Sequence, residues 1–109
     1  MYDLYSIPDG VETPPHPPED SYLGSLTLEE HKALEPFWTH LNRCGFYLDY
    51  FSDARILSHK VAVARQLISQ ALRSNHARIN TRAEGVERKL ENILSMAEQL
   101  GVGIVGFAD

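Results

Sequence analysis

The strongest constraint in this chain is a pair of long apolar stripes in its C-terminal half. Val61, Ala64, Leu67, Ile68, Ala71 and Leu72 recur at helical spacing, as do Val86, Leu90, Ile93, Leu94, Ala97 and Leu100. That period lines each set along one side of an α-helix, and such a helix is stable only when its stripe is covered by another layer. The spacing predicts a helix over 58–74, capped by Ser58, and another over 82–100. The second opens on a capping box of Thr81 and Glu84 and closes at Gly101, a residue suited to the left-handed backbone that ends helices. Gly85 falls near the first turn, where its cost of about 1 kcal/mol relative to alanine is tolerable.

A third helix is expected over 28–42. Thr27 can accept from the Glu30 amide while the Glu30 carboxylate reaches back to the Thr27 amide. Leu34, Phe37, Trp38 and Leu41 then share one face, and Gly45 is placed to terminate the helix. Pro36 removes a helical donor and should kink this helix or divide it in two. Phe46 to Phe51 is too short and too uniformly aromatic to assign by period, so strand and buried connector both remain open, and Asp53 closes a turn.

The flanks read differently. Met1 to Ile7 alternates enough for a short strand or an extended arm. Residues 8–20, with Pro8, Pro14, Pro15, Pro17 and Pro18, lack backbone donors and favour an extended loop or tether over a recognition motif. Val102 to Phe107, interrupted by Gly103 and Gly106, suits a short buried strand or close-packed tail that could pair with Met1 to Ile7. Together these elements predict a mainly α fold, a compact bundle of about three helices with short β segments at the two chain ends. The expected organisation is one domain over 1–109, with an arm and Pro-rich loop over 1–21 and a helical core over 22–109.

Composition narrows the function classes. At 109 residues and 43% apolar content the chain can bury one core. Cys44 is its single cysteine, which excludes an internal disulfide and a thiolate-rich zinc site. No apolar run approaches the roughly 20 residues of a membrane span, and Met1 to Ile7 lacks the pattern of an export signal, so a cytoplasmic location is expected. The net charge of −5 is unevenly divided: residues 1–53 hold ten carboxylates against Lys32 and Arg43, giving −8, whereas residues 54–109 hold eight bases and five acids, giving +3. Such polarity can serve solubility and internal pairing, or steer a basic partner.

No arrangement of residues demands catalysis or a cofactor. His16, His31, His40, His59 and His76 form no motif, and His31 with Glu35, or His40 with Cys44, supplies at most half of a metal site. Glu29 and Glu30 fit the first turn of a helix, where negative charge complements the backbone dipole. No glycine-rich loop leads into a helix with a following lysine. Arg65, Arg73, Arg78, Arg82, Arg88 and Lys89 could meet phosphates, yet the connection between the last two helices is too long for a helix-turn-helix and the acidic half repels a polyanion. The expectation is a non-enzymatic protein without cofactor or metal that binds neither nucleic acid nor membrane.

The segment Gly45-Phe46-Tyr47-Leu48-Asp49-Tyr50-Phe51-Ser52-Asp53, the capped helix after it and the closing Gly103-Ile104-Val105-Gly106-Phe107-Ala108-Asp109 resemble the small immunity proteins of bacterial polymorphic-toxin and contact-dependent inhibition systems. The resemblance spans residues 22–109 and rests on size, order of elements and an aromatic-acidic patch. It implies a cytosolic protein that binds and neutralises one cognate toxin domain. The chain is expected as a monomer or weak homodimer, and its carboxylates would suit a basic nuclease as that partner. On that reading Glu19, Asp20, Glu29, Asp49 and Asp53 form an acidic rim, with Tyr47 and Tyr50 as anchors unless they belong to the core. A helical dimerisation or adaptor module and a DNA-binding regulator are the alternatives.

Overall fold

The computed structural model describes residues 1–16, 18–74 and 81–108, with the backbone alone at 74 and 81–84. Pro17, His76, Arg78, Asp109 and the side chains of the Thr81–Glu84 capping box and Arg82 therefore lie outside the described residues.

The fold departs from the expected helical bundle. Strands β1 (Tyr2–Ile7), β2 (Tyr22–Leu26), β3 (Ala54–Ile56) and β4 (Gly103–Phe107) form one antiparallel sheet in the order β2-β1-β4-β3, and the helices α1 (Leu28–Ala33), α2 (Glu35–Asn42), α3 (Ser58–Ser74) and α4 (Thr81–Leu100) accompany it. This is a mixed α/β architecture, and the first residues are a central strand instead of an arm. The two chain ends do pair, from Asp3 opposite Phe107 to Ile7 opposite Gly103. What overturned the bundle is that the stripes of α3 and α4 need more apolar cover than one short helix offers, and the sheet supplies it. Tyr2, Leu4, Leu26, Ile56 and Ile104 join Val61, Ile68, Leu90 and Leu94 in a single buried cluster.

Several local expectations hold. The Thr27–Glu30 capping box is formed in both directions, at 3.1 and 2.9 Å. Pro36 divides the predicted 28–42 helix at Leu34, so α2 starts afresh with the proline in its first turn, where its missing donor costs nothing. Gly45 and Gly101 sit at φ 80° and 70°, closing α2 and α4. Ser58 proves to be the first residue of α3: its amide and hydroxyl both donate to the Asp9 carboxylate, at 2.9 and 2.5 Å.

The two faces of the sheet are covered differently. Helices pack on one; the Pro-rich segment crosses the other, where Ile7 and Val105 are buried beside Val11, Pro14 and Pro18. The Arg55 guanidinium fastens this segment, donating to the Pro8 and Val11 carbonyls at 2.9 and 2.6 Å and to the Thr13 hydroxyl at 3.0 Å. Gly106 is required by Tyr2, because a Cβ there would lie 2.5 Å from the buried ring.

Candidate functional site

The candidate site is built at the sheet end where Tyr2, Leu26 and Gly106 meet, between the α1–α2 face and the loop 46–53. After Gly45 turns the chain, Phe46 and Leu48 plug the core while Tyr47 between them stays 43% exposed. That in-out alternation is what an extended segment imposes on successive side chains. The chain then reverses at Asp49, whose Oδ1 accepts the Phe51 amide at 3.0 Å and whose carbonyl accepts the Ser52 amide at 3.2 Å. Asp53 anchors the far end by accepting the Ala108 amide at 2.8 Å. Held at both ends, the turn lifts Phe51 into solvent at 78% exposure.

Aromatic rings make the floor and walls. His31 stacks on Trp38 with centroids 4.8 Å apart, and Trp38 Nε1 donates to the His31 carbonyl at 2.9 Å. His31 Nε2 meets the Leu48 carbonyl at 2.5 Å; since a carbonyl only accepts, that nitrogen carries the proton. Tyr47 stands edge-on to Trp38 at 6.1 Å, Tyr50 edge-on to His31 at 5.8 Å, and Phe51 edge-on to Tyr50 at 5.4 Å. These rings, with Leu28, Lys32, Glu35, Thr39, Asn42, Arg43 and Asp49, bound an open cleft of about 750 Å³.

Beneath the cleft Tyr2 packs against Tyr50 at 6.2 Å, fully buried, with no partner for its hydroxyl among the described residues. Burial pushes the Tyr2 phenol above its ordinary range, and the Asp53 and Asp49 charges push it the same way. It is therefore neutral across the physiological range and serves as an apolar support for the loop.

The structure divides the residues proposed as a rim. Tyr47, Asp49 and Tyr50 line the cleft itself. Asp53 follows directly from its loop wall, and Glu29 lies exposed in the first turn of α1, next to the cleft residue Leu28. Glu19 and Asp20 form an exposed turn ahead of β2, at the opposite end of the sheet, separated from Glu29 by the length of that strand, ~16 Å for five residues. Sequence reasoning did not single out Phe51, Trp38, His31 or Glu35 as cleft residues. The turn at Asp49 had a readable signal, since an aspartate can close a turn on the backbone amide two residues on, here that of Phe51. Trp38 had none, because its helical spacing marks it as core and it is indeed 5% exposed.

The chain has no match among family models, curated proteins or solved structures. Its chemistry must be read from its own side chains. Among the described residues no three His, Cys, Asp or Glu side chains come together to hold a metal ion, and no helix is long and apolar enough to cross a membrane. Several bases of the C-terminal half are engaged internally. Arg65 pairs with Glu98 at 3.1 Å, Lys89 with Glu30 at 2.9 Å, and Arg55 holds the Pro-rich segment.

Proposed function

We propose that this protein is a non-enzymatic binding domain that receives a protein partner in the Trp38, Tyr47, Tyr50 and Phe51 cleft, and that it works as an immunity-type neutraliser of a toxin domain. The observation that carries this reading is Phe51. A large apolar ring is held clear of the surface by a turn whose every anchor is satisfied, so its exposure is built in by the fold and is relieved when a partner covers it. The neighbouring tyrosines and the tryptophan edge are the residue types that dominate binding energy in protein interfaces. The toxin identity of the partner comes from the resemblance of the 45–53 segment to immunity proteins, and the cytoplasm is the compartment that reading requires.

Recognition here depends on the aromatic cleft more than on a continuous acidic rim. Glu19 and Asp20 stand ahead of β2, a strand's length from Glu29, and Asp49 and Asp53 each spend an oxygen on a backbone amide. The remaining charge steers the encounter, while the rings hold the complex.

The test is co-purification with the C-terminal domain of a secreted protein encoded beside this chain, followed by calorimetric titration. Phe51→Ala should weaken that complex by about tenfold or more, the loss typical of an interface anchor. Full affinity in the variant would move the binding site elsewhere.

A further inference from the structure

Resting on that reading of the cleft, we propose that what the site receives from its partner is an arginine side chain, its guanidinium seated against the loop wall between Asp49 and the rings of Tyr47, Tyr50 and Phe51. The two walls differ in charge. Lys32 and Arg43 lie on the helix wall, with Glu35 between them in sequence, whereas the segment from Phe46 to Asp53 bears no base and contributes the Asp49 carboxylate to the lining. A group lodged against the loop wall therefore meets π-faces and carboxylate, the combination that favours a cation.

The geometry supports this occupant in three ways. Tyr47 and Trp38 are near-perpendicular at 82°, and so are Tyr50 and Phe51 at 81°, so the rings that line the cleft stand in more than one plane. Asp49 uses one oxygen for the Phe51 amide, and no described residue donates to the other. The turn is already closed, so little ordering is left to be done on binding. Guanidinium suits the site better than ammonium because it is more weakly hydrated, stacks on aromatic faces and hydrogen-bonds to carboxylate at the same time. An acidic side chain seated against the loop wall would meet Asp49 and the negative faces of the rings, which repel it, and would be drawn instead toward Lys32 and Arg43 on the helix wall.

Trp38 is the single tryptophan of the chain and borders the cleft, so its emission reports occupancy directly. The experiment titrates the full chain with N-acetyl-arginine amide and, separately, with its uncharged isostere N-acetyl-citrulline amide, at constant ionic strength. The arginine probe should give a saturable change in the millimolar range, with the citrulline probe at least about fivefold weaker, as a cation–π contact with a carboxylate would produce. Asp49→Asn keeps the acceptor for the Phe51 amide and should reduce arginine binding to the citrulline level. Equal binding of the two probes, or no saturable response to arginine, overturns the inference. If Phe51→Ala still weakens the protein complex while arginine fails to bind, the cleft remains the partner site and only its cation preference falls. If neither effect is seen, both fall together.

Discussion

Two irregular segments of this molecule, residues 8–16 and 46–53, are built from similar means to opposite ends. Each is fastened by side chains that hydrogen-bond backbone groups. Arg55 and Asp9 hold the first; Asp49, Asp53 and His31 hold the second. The first segment covers Ile7 and Val105 on the open face of the sheet, whereas the second buries Phe46 and Leu48 and turns Tyr47 and Phe51 outward. The difference teaches that anchoring alone does not mark a binding site. A segment held in place over apolar surface shields the sheet beneath it; one held in place to turn its own rings outward is a candidate for recognition.

That contrast can be broken from either side. The largest expected effect is from Gly106→Val, whose new side chain must displace the Tyr2 ring on which Tyr50 rests. It should cost about 3 kcal/mol or more in urea unfolding, with partner affinity falling as the loop loses its support. Arg55→Met comes next. It releases the carbonyls of Pro8 and Val11 from a charged donor and should cost about 2 kcal/mol while leaving affinity within about twofold, because the cleft lies on other elements. An equal loss of affinity in that variant would mean that the two segments are coupled.

A smaller effect separates them by pH. The side-chain and backbone hydrogen bonds from Ser58 hold the Asp9 carboxyl below its ordinary 3.8. Glu30 is also lowered: burial alone would raise it, but the Thr27 amide and the hydrogen bond and charge of Lys89 together prevail. A carboxylate with a depressed folded-state value adds stability that is complete above its unfolded value and disappears as the pH falls through the folded one. The contribution of these two groups should therefore be flat from neutrality down to about pH 5 and decline below it. Asp9→Asn should make that decline shallower, as followed by thermal unfolding across the acid range; an unchanged slope would remove Asp9 from the set of groups responsible.

The helical half of the fold was legible because its signals are local. The capping box at Thr27, the break at Pro36, the terminators Gly45 and Gly101 and the bounds of α3 all depend on residues within a turn or two of one another. The sheet was not legible as a whole, although the pairing of the chain ends was foreseen as an option. Tyr22–Leu26 and Ala54–Ile56 are too short to show a period, and their hydrogen-bonding neighbours are about 20 to 50 residues away in sequence. The cleft was half legible for the same reason. Tyr47, Asp49 and Tyr50 stand together in one stretch, while their companions His31, Glu35 and Trp38 reach the site only through the way α1 and α2 pack. The Arg55 latch carried no sequence signal, since its acceptors, the Pro8 and Val11 carbonyls and the Thr13 hydroxyl, lie 42 to 47 positions earlier in the chain.

The measurement that tests the contrast most directly is amide hydrogen exchange of the free and partner-bound protein, read separately over the two segments. Slowed exchange confined to 46–53 and the adjoining α1–α2 face, with 8–16 unchanged, is the predicted result. Protection of 8–16 with none at 46–53 would contradict it and transfer recognition to the covered face of the sheet.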